Sequence, residues 1–245
     1  MKPRLLVTLC VLCVFCALAG AKEKEASGEL LDSGSFGVYT SGQRIATETF
    51  SIKKARDGTV VSSEFKSEQG EQKAVQTSEL ELTPSVELRR YEWKESSPEK
   101  FEASVAPNDT FLIERFGNGD GKQQEQNFLL PASTSIMDDY FFIQREVLAW
   151  RFLASACREE KGAMQCPLNQ KTQFGTLNPH ARSSMPVTIE FAGRDKVSIR
   201  GTERNLLRFV LKAETGDWAF WLDDQDKFKL IRLQADGEPT EVVRD

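Results

Sequence analysis

The stretch DDYFFIQREVLAWRFLASA, residues 138–156, decides the fold. From Tyr140 onward its apolar residues cover more than one face of a helix, and a helix of that kind is buried. Asp138 and Asp139 stand where a helix N-cap is expected, so the sequence predicts one buried helix near residues 138–156. Because a helix on a flat sheet needs only one apolar stripe, we expect a sheet that curves around this helix.

Short β-favouring runs separated by turn signals lie on both sides of the helix. Asp57-Gly58 predicts a tight turn, and the glycine-rich residues 117–121 predict a hairpin turn, since they lack the Lys-Ser/Thr ending of a phosphate loop. A turn is expected near Gly193, and residues 165–184 are interpreted as a polar loop. The pattern predicts a mainly β (α+β) fold, a curved antiparallel sheet, half-barrel or clam of about 10–12 strands.

The first 21 residues have the pattern of a secretory signal peptide, with a basic start, an apolar run from Leu5 to Leu18 and the small residues Ala19-Gly20-Ala21. The run is shorter than the roughly 20 apolar residues of a membrane-spanning helix, so no transmembrane segment is expected in the mature chain. We expect residues 22–35 to be a flexible N-terminal segment and residues 36–245 to form a single β-rich domain. Lipidation of the N-terminus stays open, because three cysteines lie in the signal segment.

Charge and cysteine content restrict the partners and the compartment. The segment before residue 22 holds two of the 32 basic residues and none of the 37 acidic ones, so the mature chain is more acidic than the whole, and no nucleic-acid partner is expected. Only Cys157 and Cys166 remain after cleavage. In an oxidising compartment this pair predicts a disulfide, with two free or metal-bound thiols as the alternative.

The mature chain has few groups that could form a catalytic or metal-binding site. Its one histidine, His180, lies in a polar loop without a nucleophile motif, which favours an exposed loop residue. Asp138-Asp139 and Asp223-Asp224 stand where caps and turns favour aspartate, although a catalytic carboxylate pair is set by distance in space and stays open. No His or Cys set has zinc spacing. The sequence therefore predicts a protein that is not an enzyme, with no metal and no cofactor.

The two ends of the mature domain resemble exported bacterial proteins of an uncharacterised domain-of-unknown-function group. The likeness rests on residues 36–39 with 43–50, which match that group's opening strand pair, and on residues 221–224, 229–230 and 241–244, which match its closing hairpin. Ala46 takes the place of a glycine of the group. The resemblance implies a β-clam or half-barrel around a helix, similar in outline to periplasmic lipoprotein carriers, in the bacterial periplasm or cell envelope.

The aromatic content is the one positive indication of function. Four Trp and sixteen Phe fit core packing, or else an incompletely filled space between sheet and helix that accepts a lipid or other hydrophobic ligand. The expected lining residues are Phe142, Leu148, Trp150, Phe152, Trp218, Phe220 and Trp221. The first hypothesis is thus a non-catalytic exported envelope protein that binds or carries such a ligand. The alternative is a structural or assembly factor of the envelope that contacts a protein partner through exposed strand edges or through its acidic surface.

Overall fold

The computed structural model describes residues 28–70, 73–119, 121–160 and 163–245. The signal segment predicted at residues 1–21 lies outside the described residues. The first half of the chain is an antiparallel meander in which each strand pairs with the next. We call it the first wing. Its strands are β1 (Glu29–Thr40), β2 (Gln43–Ala55), β3 (Gly58–Ser67), β4 (Val75–Leu82), β5 (Leu88–Ser97), β6 (Phe101–Asn108), β7 (Phe111–Gly117) and β8 (Gln124–Phe128).

A connecting region follows the first wing and contains the helix. The chain crosses from β8 to a short strand that pairs in parallel with the second half of the sheet, then enters the helix, and then forms a small separate hairpin. The region consists of β9 (Ser135–Ile136), α1 (Ile143–Ala156), β10 (Arg158–Glu160) and β11 (Ala163–Gln165).

The rest of the chain is a second antiparallel meander, the second wing. Its last strand pairs with β1, from Phe36 opposite Arg244 to Thr40 opposite Thr240, so the two wings form one curved sheet of fifteen strands among the described residues. The sheet stays open, with β8 and β9 at its edges. The strands are β12 (Lys171–Asn178), β13 (Ser183–Ile199), β14 (Thr202–Ala213), β15 (Gly216–Asp223), β16 (Lys229–Ala235) and β17 (Thr240–Arg244).

The predicted fold class is confirmed, and four details of the prediction are wrong. The sheet has more strands than the 10–12 expected. Residues 29–35, expected to be flexible, belong to β1 and pair with β2. The expected polar loop at 165–184 contains β12. Near Gly193 there is no turn but a bulge within β13, at a φ of 101° that favours glycine.

The core lies between α1 and the curved sheet. Phe141 and Phe152 are fully buried there, and Phe152 meets Phe209 of β14 edge to face at 5.6 Å. Gln144, Arg145 and Glu146, the polar residues of the first turns, are buried as well. The N-terminal half of the helix, from Ile143 to Ala149, is therefore buried throughout, and its polar groups must find partners inside the protein.

The predicted disulfide is present. Cys157 follows the last turn of α1, where its N–H donates to the carbonyl of Leu153 at 3.1 Å, and its sulfur is bonded to that of Cys166. The bridge closes a short loop around the β10–β11 hairpin.

We expect the double variant Cys157→Ser/Cys166→Ser to lower the free energy of unfolding by about 2–3 kcal/mol, because the bridge restricts the unfolded chain. Urea denaturation measures the change, and a reducing agent applied to the wild type is the control that should reproduce it. An unchanged midpoint would show that the β10–β11 pairing alone fixes this loop.

Candidate functional site

A cavity of about 520 Å³ lies between the N-terminal end of α1 and the curved sheet. We call it the interior cavity. Both wings contribute to its wall, together with the segment that enters the helix. Its apolar and aromatic lining consists of Val38, Ile45, Phe65, Met137, Tyr140, Phe142, Ala181, Met185, Leu211, Ala213, Trp218 and Ala235.

The charges around the interior cavity are uneven. Four carboxylates line it, those of Asp139, Asp217, Asp236 and Glu238, and among the described residues none of the four forms an ion pair. The one cation of the lining is Arg145, which is buried. Its Nη1 donates to the carbonyls of Asp138 and Phe141 at 2.8 and 3.3 Å. The cavity thus joins an apolar wall to a negatively charged border.

The predicted ligand-binding residues separate into four groups in the structure. Phe142 and Trp218 line the interior cavity together, with ring centroids 6.4 Å apart. Trp150 lines a different cleft, of about 420 Å³, near the C-terminal half of α1, where its indole N–H donates to the carbonyl of Phe228 at 3.1 Å.

The other predicted lining residues do not face the interior cavity. Leu148, Phe152 and Phe220 are buried in the filled part of the core. Trp221 was expected on the helix side, but it lies on the opposite face of the sheet, in a second apolar cluster with Val197, Ile199, Leu206 and Ile231. The physical reason is the two-residue period of a strand, which puts neighbours such as Phe220 and Trp221 on opposite faces.

A buried glutamate of β2 caps the helix, so the expected N-cap at Asp138-Asp139 is wrong. The helix begins at Ile143, and the two carboxylate oxygens of Glu48 accept the N–H groups of Phe142 and Ile143 at 2.7 and 3.3 Å. The hydroxyl of Ser63 donates to Glu48 at 2.6 Å. Burial raises the pKa of Glu48 to about 7, and these hydrogen bonds limit the rise. Glu48 fixes the helix end that lines the interior cavity to the first wing.

His180 is not an exposed loop residue, contrary to the sequence-based expectation. Its side chain is only 12% exposed. Its Nδ1 lies 2.6 Å from Oδ2 of Asp138, and its Nε2 lies 2.9 Å from Oε1 of Gln76. The indole of Trp93 stacks on the imidazole with ring centroids 3.6 Å apart. Asp138 also accepts the hydroxyl of Tyr91 at 2.7 Å. We call these five residues the His180 cluster.

Glu114 lies near the His180 cluster without a hydrogen-bond partner. Its side chain is fully buried, and neither carboxylate oxygen has a donor within the part of the chain that the structure describes. Burial raises the pKa of Glu114 to about 8, with opposing effects from Arg182, which lowers it, and Asp138, which raises it. At neutral pH the group is therefore mostly protonated and uncharged.

The sequence-based reasoning missed Glu48, Gln76 and Glu114 as interior residues, yet it contained a signal for them. In each strand, the residue two positions away from the polar one is also buried. Glu114, for example, lies between the buried side chains of Leu112 and Phe116. Strand alternation therefore places all three on the inner face. A polar residue on such a face has to be bonded or neutral.

The described residues have two further properties. No helix among them is long and apolar enough to cross a membrane. They also contain no group of three or more His, Cys, Asp or Glu side chains arranged to hold a metal ion.

The fold and cavity define a β-barrel-like protein, an open curved sheet around one helix. No protein-family model matches the chain, and no curated protein does. Among solved structures it is similar to a β-barrel-like protein of the domain of unknown function DUF1849 from Brucella abortus, with a TM-score of 0.54, 7% identity, and coverage of 87% of this chain and 94% of that one. At this identity the likeness shows the fold alone. The solved structure is a bacterial β protein of unknown function, as the sequence resemblance implies.

Proposed function

We propose that the protein is a non-catalytic, exported protein of the bacterial cell envelope that binds a lipid or another hydrophobic ligand in the interior cavity. The interior cavity is the main observation that supports this proposal. Its volume of about 520 Å³ lies within the range of roughly 300–1,000 Å³ that is common for small-molecule sites, and its wall is mainly apolar and aromatic. The four border carboxylates favour a ligand whose polar end is neutral or positively charged over an anionic one.

Export draws support from sequence and structure together. The signal pattern lies outside the described residues, and the two cysteines that remain after it form a bridge. Disulfides persist mainly in oxidising compartments such as the bacterial periplasm.

The non-catalytic part of the proposal rests on the His180 cluster. A histidine that acts as general base needs a ring nitrogen free to take a proton from a nucleophile. Here Asp138 and Gln76 engage both nitrogens, and Trp93 covers one ring face. This geometry gives no support to catalysis by His180.

The assembly-factor hypothesis needs either a free strand edge or an acidic surface that contacts a partner. β8 pairs on one side only, but its exposed side chains are Gln124, Glu125 and Asn127. Charged and amide side chains are common on edges that natural proteins protect from pairing. The interior cavity is therefore the better-supported site.

We expect the neutral apolar fluorophore N-phenyl-1-naphthylamine to bind the wild type, and Ala213→Trp to weaken that binding at least about tenfold, because the indole would occupy cavity volume. The matched control is Trp221→Phe, an aromatic change on the opposite face of the sheet, which should leave affinity unchanged. Fluorescence titration measures both, with circular dichroism to verify folding. Equal affinity in all three proteins would place the fluorophore elsewhere and contradict the proposal.

Native mass spectrometry of protein purified from its own envelope, before and after organic extraction, is the independent test. A discrete mass that is lost on extraction would identify the ligand class. Ligand-free protein in every preparation would favour the assembly hypothesis.

A further inference from the structure

The turn between β12 and β13, residues 178–182, connects the two wings of the open sheet through side-chain contacts. From this turn His180 reaches Gln76 of β4 and Trp93 of β5, both in the first wing, and Asp138 in the segment before α1. Arg182 places its guanidinium over the ring of Phe116 in β7, 4.6 Å from the ring centroid. The turn belongs to the second wing, so these contacts hold the two wings together.

The same turn forms part of the wall of the interior cavity. Asn178 and Ala181 line the cavity from the turn, and Asp139 and Tyr140 line it from the segment that His180 holds through Asp138. A displacement of the turn would therefore open the cavity wall on two sides.

The hydrogen bonds of His180 depend on its proton. Asp138 offers a carboxylate oxygen to Nδ1. Gln76 presents its amide oxygen Oε1 to Nε2. Two acceptors are satisfied only by a ring with two N–H groups, which is the charged form. The stacked face of Trp93 also favours a cation. A neutral ring would face one acceptor without a hydrogen to donate.

We propose that residues 178–182 are a proton-dependent clasp over the interior cavity, closed while His180 carries both N–H groups and loosened when it loses one. The inference rests on the proposed function, because it concerns release from the same cavity. Histidine is the side chain whose charge ordinarily changes between about pH 5 and 8. A ligand would be held while the ring carries both N–H groups and released faster once the ring has lost one.

Other titratable groups surround the clasp and must be separated from His180. Asp138, Tyr91, Tyr140 and Glu95 face the imidazole or its partners, and Arg145 of α1 donates to the Asp138 carbonyl. Burial raises the pKa of Tyr91, Tyr140 and Glu95, so both tyrosines stay neutral in this range.

Glu114 and Glu48 also titrate in the pH range of the experiment, so their contributions must be separated from that of His180. Glu114 faces Arg182 of the clasp and has a pKa of about 8. Glu48 has a pKa of about 7 but is bonded to Phe142, Ile143 and Ser63 rather than to the turn. Replacing His180 isolates its own contribution, and Glu114→Gln removes the titration of the other group that interacts electrostatically with Arg182 of the clasp.

The test is the dissociation rate of N-phenyl-1-naphthylamine at pH 5.5 and pH 8 in the wild type, His180→Gln and Glu114→Gln. We expect release from the wild type to be about tenfold faster at pH 8, the size expected for the loss of one charged hydrogen bond. Glu114→Gln should keep this ratio, and His180→Gln should reduce it to less than about twofold. Equal ratios in the wild type and His180→Gln, or a ratio lost in Glu114→Gln instead, would overturn the clasp.

Hydrogen exchange of the amides at residues 178–182 is the second readout, and it needs no ligand. After correction for the intrinsic rise of the exchange rate with pH, the protection factors of these amides in the wild type should fall about tenfold between pH 5.5 and pH 8. Unchanged protection would overturn the clasp even if His180→Gln does not fold. Failure of the fluorophore to bind at either pH would instead reject the proposed function, with the exchange data still deciding the clasp.

Discussion

Replacement of Arg244 by alanine is expected to lower the free energy of unfolding by roughly 3–5 kcal/mol, the cost of removing one partner from a buried charge pair. Arg244 ends β17, and its guanidinium contacts carboxylates of Asp32 in β1 and Glu146 in α1. It also donates to the Leu230 carbonyl at 3.1 Å and lies over the rings of Phe36 and Phe50. One side chain thus links the first strand, the last two strands and the helix.

Loss of the Arg244 guanidinium would leave the buried carboxylate of Asp32 with fewer partners. The Asp32 side chain is fully buried, and its other cation, Lys229, lies 3.5 Å away. Burial and the Asp32 carboxylate raise the pKa of Glu146 well above its usual range, so Glu146 can become neutral by taking up a proton. The uncompensated charge in the variant is then that of Asp32. Asp32→Asn in the Arg244→Ala background should therefore restore part of the stability, because it removes the uncompensated charge.

Thermal and urea denaturation measure this prediction, with Arg200→Ala as the matched control. Arg200 also pairs with a carboxylate, that of Asp245, but its side chain is 52% exposed, and such pairs contribute at most about 1 kcal/mol. In a domain of this size Arg244→Ala should lower the melting temperature by roughly 10 °C. A loss no larger than that of Arg200→Ala would show that the aromatic packing, and not the charge pair, holds these elements together.

Local patterns were sufficient for much of the fold. The helix was identifiable because apolar residues such as Ile143, Val147 and Phe152 extend over more than one of its faces, and most of α1 is buried. The Asp57-Gly58 turn connects β2 and β3 as predicted, and the predicted hairpin is present because β7, which ends at Gly117, pairs with β8. Each of these features depends on residues close together in the chain.

The features that were not predicted depend on contacts between distant residues. β12 was missed because its buried Thr176 and Asn178 are polar and resemble a loop. The helix begins later than expected because its cap, Glu48, comes from a strand 94 residues away in sequence. His180 is covered because Gln76, 104 residues away, reaches it. No local pattern specifies such pairs.

The candidate site was predicted only in part, and two residues show why. Aromatic content does not distinguish a filled core from a cavity, so Phe220 and Trp218 were given the same role although only Trp218 faces open space. The two segments on which the family resemblance rests, at the beginning and the end of the domain, both contact the helix. Glu48 of the first caps the helix, and Arg244 of the second joins it to the sheet. Both segments thus contribute a charged side chain that holds α1.

We expect Glu114→Gln to remove a large part of the loss of stability at alkaline pH. The folded protein raises the pKa of Glu114 from 4.5 to about 8, so the unfolded chain gives up this proton at lower pH than the folded one. The contribution of Glu114 to stability is complete below about pH 4.5 and is lost as the pH rises through about 8. At about 1.4 kcal/mol per pKa unit, and allowing for water that reaches an ionised carboxylate, the loss is on the order of 3 kcal/mol.

Urea denaturation of the wild type and Glu114→Gln at pH 5 and pH 9 measures this loss. At pH 5 the two proteins should be equally stable within about 1 kcal/mol, since a neutral carboxyl and an amide bury similar groups. At pH 9 the variant should be more stable, because the wild type must bury an anion with no hydrogen-bond donor. Glu64→Gln, a change at an exposed glutamate that pairs with Lys66, should follow the wild type at both pH values. Glu48 still titrates in the variant, so a smaller alkaline decline should remain. If the wild type and Glu114→Gln lose stability in parallel, the Glu114 carboxylate has access to a donor or to water when it ionises.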